Sequence, residues 1–189
     1  MQKNVRQIAM LILALWAAGA RSADAQSKMD KWATPIKSQY LDNFYQLDAK
    51  VYRSAQPDAK GFQDLQKRGI RNVLSFRDQH SDSNGARGTT LKLYRIQMES
   101  GEIKTPQVVE ALRIIKGADG PIVIHCWHGA DRTGLISALY RIVFQNWPKA
   151  DAIDELMHGG FGYHPIYKSG PEYIEKADIE TIKKQVMAK

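Results

Sequence analysis

A 189-residue chain with a single cysteine forms no internal disulfide and offers Cys126 no resolving thiol. Whatever chemistry that sulfur performs, it performs without a second one. There is no internal repeat and no low-complexity tract, which excludes solenoid and fibrous architectures. The histidines do not fall at metal-ligand spacings, and His158 and His164 stand too loosely to argue for zinc, so no metal and no cofactor is expected. Negative charge is in short supply, with 20 Asp and Glu against 27 Lys and Arg. The cations are spread along the chain and not interleaved with aromatics, so nucleic acid is not an expected partner, whereas an anionic substrate suits the surface.

Long apolar runs are also missing. The one at 8–20 is too short to cross a bilayer comfortably, and it sits between Lys3 and Arg6 on one side and Ala23-Asp24-Ala25 on the other. Positive, apolar, then small-x-small is the order of a secretory signal. The expectation is therefore a signal peptide over 1–25, a polar amino-terminal segment over 26–39 and one folded domain over 40–189. The mature chain would be periplasmic or secreted, with no stable membrane span. An uncleaved anchor is the alternative.

Within the domain, strands and helices alternate. Phe44-Tyr45-Gln46-Leu47 and Val51-Tyr52-Arg53 read as strands around a turn, Pro57 opens a helix that Gly69 stops, and 72–76 and 91–96 are the next strands. Thr105 is the expected cap of a helix with Pro106 at its first position. Helices at 133–144, 148–157 and 171–186 complete the pattern. The expected fold is α/β, a single compact domain with a mostly parallel central sheet flanked by helices on both faces. The loop after the strand Pro121-Ile122-Val123-Ile124-His125 then lies at the carboxyl edge, where such sheets bind ligands.

That loop is the informative part of the chain. His125-Cys126-Trp127-His128-Gly129-Ala130-Asp131-Arg132-Thr133-Gly134 places a cysteine after a buried strand and an arginine at the start of a helix. A tight turn of this kind points successive backbone N–H groups inward, and the helix dipole adds positive potential, so the turn suits a phosphate. Arg132 supplies a planar fork for two oxygens, and Gly129 allows the close turn. The same field favours the anionic, nucleophilic form of the Cys126 sulfur. Trp127, His128, Gly129, Ala130, Asp131 and Arg132 are the candidate phosphate-binding residues. His125 is placed to brace the loop with ring hydrogen bonds, and Thr133 to donate its hydroxyl to the sulfur.

His-Cys, five residues, then Arg-Thr-Gly resembles the signature of cysteine-dependent protein tyrosine and dual-specificity phosphatases. Val51-Tyr52-Arg53-Ser54-Ala55-Gln56-Pro57 and Gly69-Ile70-Arg71-Asn72-Val73-Leu74-Ser75-Phe76-Arg77 are similar to the amino-terminal half of compact bacterial and plant-fungal atypical members. Gly159-Gly160-Phe161-Gly162 resembles small secreted bacterial tyrosine phosphatases linked to biofilm control, and cysteine phytases carry a similar Gly-Gly-Phe. Rhodanese-type sulfurtransferases lack the Arg-Thr-Gly continuation, and arsenate reductases use partner cysteines that this chain does not have.

The resemblance implies a dual-specificity phosphatase-like fold and a reaction through a phosphocysteine on Cys126, without a metal. It also implies a general acid, in the family an aspartate on the loop before the preceding helix. Here the matching stretch, Met98-Glu99-Ser100-Gly101-Glu102-Ile103-Lys104, offers only glutamates. Glu102 is slightly favoured over Glu99; Asp131 is a third candidate because an aspartate before the arginine occurs in lipid-active relatives, and Asp78 a distant fourth. The expected substrate is a phosphorylated protein. An inositol phosphate or phosphoinositide is the alternative, although Trp127 and His128 stand where polyanion-directed relatives often place lysine. A catalytically weak phospho-binding module is a third reading, kept open by the absent aspartate.

Overall fold

The strand that feeds the cysteine lies in the middle of the sheet. The computed structural model describes residues 29–188, so the expected signal segment lies outside the described residues. The chain divides into two units, 1–32 and 33–189, and the second carries the sheet and the helices that position the cysteine. Its strands are β1 (Thr34–Pro35), β2 (Tyr45–Gln46), β3 (Val51–Ser54), β4 (Asn72–Ser75), β5 (Lys92–Arg95) and β6 (Ile122–His125). Its helices are α1 (Ala59–Lys67), α2 (Thr105–Gly117), α3 (Asp131–Gln145), α4 (Lys149–His158), α5 (Ser169–Lys176) and α6 (Ile179–Met187).

The sheet order is β1-β2-β3-β6-β4-β5. The four strands β3, β6, β4 and β5 run parallel, and β1 and β2 add an antiparallel edge. Ser54, His125 and Ser75 are register partners across β3, β6 and β4. Ala55, Cys126 and Phe76 therefore leave the same carboxyl edge side by side. Alternation along the strands divides the core. Ile122, Ile124 and Leu74 pack into the larger cluster with α2 to α6, while Val123 and Val73 pack with Phe62 and Leu65 of α1. Helices thus cover both faces, as the alternating pattern implies.

Two local signals differ from expectation. The residue that caps α2 is Lys104, not Thr105, and it makes no side-chain cap bond. The Thr105 hydroxyl is engaged elsewhere, accepting from Tyr173 at 2.9 Å. The carboxy-terminal run expected as one helix is two, because Asp178 accepts from the Thr181 N–H at 3.1 Å and its hydroxyl at 2.6 Å and so starts α6 afresh. The domain also begins before residue 40. β1 joins the sheet, and the Ala33 N–H donates to Glu155 at 2.7 Å, sharing that buried carboxylate with Arg141.

α3 is the central helix, buried throughout 133–143. Gly134 lets α4 approach it closely, since an added Cβ there would collide with Leu156. Among the described residues no helix is long and apolar enough to cross a membrane.

Candidate active site

Between β6 and α3 the loop closes on itself with its carbonyl groups facing out. Each carbonyl from Cys126 to Ala130 is held from outside the turn. The Cys126 carbonyl meets His125 Nδ1 at 3.1 Å, and that of Trp127 accepts from the Gln56 N–H at 3.0 Å. The His128 carbonyl accepts from Asn43 Nδ2 at 2.8 Å, and that of Gly129 from Arg53 Nη2 at 2.7 Å. The Ala130 carbonyl accepts from the Gly134 N–H at 2.7 Å, the first bond of α3. All peptides here are trans, so each pinned carbonyl sends the following N–H the opposite way, into the turn. The result is the amide cradle that the sequence spacing implies.

Glycine is obligatory at one point. Gly129 has φ of 71°, and a Cβ there would run into the Ser54 carbonyl and Ala55 N–H at the end of β3.

Cys126 is buried, with 2% exposure, at the floor of the turn. Three cations surround this floor. The Arg132 Nη1 is anchored by the carbonyls of Phe76 at 3.2 Å and Met98 at 3.0 Å, while its buried Nε has no hydrogen-bond partner. The fork is therefore oriented on one side and open on the other, the geometry needed for two oxygens of an oxyanion. Arg53 is fully buried, its guanidinium 3.7 Å from the centre of the Phe161 ring. Burial pushes Arg53 down to about 10, against the pull of the Glu155 carboxylate and of Cys126. Arg77 is lowered by partial desolvation and by the like charge of Arg132, a shift opposed by Asp82, Asp78 and Cys126. Its guanidinium lies 4.3 Å over the ring of Trp127.

The structure brings some of the expected residues together and not others. His125 bridges the Cys126 carbonyl and Asp82, its Nε2 at 2.8 Å from Oδ2. Thr133 Oγ1 is buried without a hydrogen-bond partner, so the structure draws no bond from it to the sulfur. Asp131 is committed to the 159–170 loop: its Oδ1 accepts from the His164 N–H at 3.0 Å and its Oδ2 meets His164 Nδ1 at 2.8 Å. Glu99 lines a crevice with Asp131, Arg132, Tyr163 and Tyr167. Glu102 instead pairs with Lys104 at 3.3 Å, both well exposed. Asp78 reaches Arg132 Nη1 at 3.4 Å.

Sequence reasoning missed Asp82, Gln56, Arg77 and the supporting roles of Arg53 and Phe161. Gly159-Gly160-Phe161-Gly162 proves to be a brace: with Gly160 and Gly162 at positive φ, the turn buries Phe161 against Arg53 and edge-on to Tyr45, with ring centres 4.8 Å apart. At the rim Trp127 is 51% exposed, and the rings of His128, His164 and Tyr167 follow one another at centroid distances of 5.1 and 6.2 Å.

A buried cysteine in a cradle of inward amides, with an oriented arginine at the following helix, defines a phosphatase of the cysteine-dependent tyrosine and dual-specificity class. The chain belongs to the tyrosine phosphatase family, whose model matches residues 40–189. It is 30% identical over 161 residues to the dual specificity protein phosphatase TpbA of Pseudomonas aeruginosa, covering 84% of this chain and 72% of that one. The crystal structure of P. aeruginosa TpbA superposes with a TM-score of 0.76, covering 84% of this chain and 98% of the other. TpbA has also been solved with phosphotyrosine, and that structure superposes equally well, at 29% identity over the same shares. The inositol diphosphatase SIW14 of Saccharomyces cerevisiae is 28% identical, over 76% of this chain and 53% of its own length.

Proposed function

We propose that this protein is an exported phosphatase, periplasmic or secreted, that hydrolyses phosphotyrosine monoesters, and phosphoserine or phosphothreonine secondarily, through a phosphocysteine at Cys126. In this mechanism the sulfur attacks phosphorus in line while the amides of the turn and Arg132 hold the equatorial oxygens. The alkoxide or phenoxide leaves with a proton from a carboxylic acid, and water then hydrolyses the phosphocysteine. Glu99 is the carboxylate we assign as acid, because it shares a crevice with Arg132 while Glu102 faces Lys104. Asp131, with both oxygens taken by His164, is assigned to holding the 159–170 loop. Export is supported by the charge and apolar pattern of 1–25.

One observation carries the choice of substrate: the rim of the site is aromatic. Trp127, backed by the Arg77 guanidinium, and the His128, His164 and Tyr167 rings offer flat partners to a phenyl ring. The TpbA complex with phosphotyrosine agrees with this reading. The second reading, an inositol phosphate, is favoured by the cation of Arg77 beside that of Arg132 and by the likeness to SIW14.

The test compares kcat/KM for a phosphotyrosine peptide and for inositol hexakisphosphate on the mature chain. A preference for the peptide is expected, and a preference for the inositol would replace this reading by the second. Cys126→Ser is expected to lower turnover of a small aryl phosphate by at least about a thousandfold. Binding of the peptide without turnover by the unmutated chain would instead identify a binding module. Mass spectrometry of the exported protein should find Gln26 as the first residue.

A further inference from the structure

We propose that Asp82, a residue far in sequence from the phosphate loop, is a positioning residue for the phosphatase reaction that acts through His125 on the peptide group of Cys126. The proposal rests on the reading of Cys126 as nucleophile.

Both members of the pair are buried, with side-chain exposures of 0% for His125 and 3% for Asp82. Each ring nitrogen faces an oxygen: Nε2 faces Asp82 Oδ2 at 2.8 Å, and Nδ1 faces the Cys126 carbonyl at 3.1 Å. A carbonyl oxygen only accepts, so Nδ1 carries a hydrogen. The second carboxylate oxygen, Oδ1, already accepts from Gln56 Nε2 at 2.9 Å. Burial works to raise Asp82, yet the hydrogen bond and charge of His125, the Gln56 amide and His80 together hold it below the ordinary carboxylate range. The ring is thus clamped between a buried carboxylate oxygen and the carbonyl of the peptide that follows the sulfur's residue.

A packed apolar pair would fill the same space without taking a carboxylate and an imidazole out of water. What it would not supply is a donor to the Cys126 carbonyl. The other branch of the network converges on the next peptide. Gln56, held by Asp82, gives its backbone N–H to the Trp127 carbonyl at 3.0 Å and takes Arg77 Nη1 on its side-chain oxygen at 3.0 Å. One carboxylate thus stands behind two consecutive carbonyls of the turn, and so behind the inward direction of the N–H groups that follow them.

The experiment uses the full mature chain carrying Asp82→Asn. It measures kcat and KM on a small aryl phosphate, and the pH dependence of Cys126 alkylation by iodoacetamide. The titratable and charged groups facing the pair are His80, Arg77 and Cys126, with Arg132 and Asp78 acting on Arg77, and all of these remain in the variant. A drop in kcat of about 10- to 100-fold is expected with KM changed less than about threefold, as for other groups that orient a working imidazole. The alkylation midpoint is expected to move to higher pH, which a carboxylate that only packs its loop would not cause. His125→Asn is expected to give a similar loss, and the double variant no more than either alone. Should Asp82→Asn not fold, Gln56→Leu decides, with a smaller loss in the same direction. Unchanged kcat and alkylation in the folded variant, losses that add with His125→Asn, or an unaffected Gln56→Leu in the absence of a folded Asp82 variant would each overturn the proposal. Turnover by Cys126→Ser would overturn the nucleophile reading itself, whereas an inert Cys126→Ser beside a normal Asp82→Asn rejects only the role of Asp82.

Discussion

The loop at 126–132 and the segment at 98–104 face each other across the site, and they are held in opposite ways. In the first, every carbonyl from Cys126 to Ala130 is gripped from outside by a side chain or backbone group of another element or of α3. In the second, Met98 and Ser100 lend their carbonyls to Arg132 and Ser169, while Glu99 and Glu102 extend into the open. The difference fits the work proposed for each. An amide cradle stabilises charge only if its donors are already aimed when the charge develops. Delivering a proton requires reach and a proton at the right moment, which a longer and looser side chain also provides. On the assignment proposed above, a glutamate as acid is therefore tolerable on the loose side in a way that a substitution at Gly129 would not be.

The contrast is broken most severely by Gly129→Ala. The added methyl strains a left-handed backbone and collides with the end of β3, displacing several donors together. A fall in kcat of at least about a thousandfold is expected, with a thermal melt still cooperative but lower. Near-normal kinetics would show that the turn is as adaptable as its neighbour.

The next test sharpens the loose side. Glu99→Gln should lower kcat about a hundredfold on a phosphotyrosine peptide and far less on an aryl phosphate with a good leaving group. Glu102→Gln and Asp78→Asn should each stay within about threefold on both. If Glu102→Gln takes the loss instead, the segment reorders when substrate binds. A third expectation lies outside both regions. Desolvation works to raise Asp48, but hydrogen bonds from Tyr140, from the Val51 and Lys50 N–H groups and from Gln145 leave it lowered overall. A carboxylate depressed in the folded state stabilises the fold above its unfolded value, about 3.9, and loses that contribution as the pH falls through its folded value. Asp48→Asn should thus cost about 1–2 kcal/mol at pH 7 in urea melts, flatten the decline below about pH 4, and leave kcat unchanged.

The sequence carried the strand-loop-helix unit and its chemistry plainly, because Cys126, Gly129 and Arg132 owe their positions to one short stretch of chain. Sheet order was legible only as a class: alternation implied parallel strands, but nothing in β1, two residues long, announced a strand within 26–39. The grips on the turn were invisible for a related reason. Asn43, Arg53, Gln56 and Asp82 are single residues of ordinary type, and only the fold brings them to one place. Arg53 and Gln56 did lie within a stretch resembling family members, and Phe161 within the glycine-rich one, so a signal existed without its meaning. Carboxylates at 98–104 could be enumerated, but the slight preference for Glu102 over Glu99 is reversed in the assignment proposed above, because rank depends on which side chain shares a crevice with Arg132 and which turns toward Lys104.

Phe161 and the tip beyond it have a consequence for how such an enzyme changes over generations. The ring is seated under the cation that fixes Gly129, so the base of the 159–170 turn is bolted to the catalytic floor. Pro165, Ile166 and Tyr167, a few residues on, are exposed. Side chains at the tip can therefore change without loosening the anchored base, since nothing in the core depends on their identity.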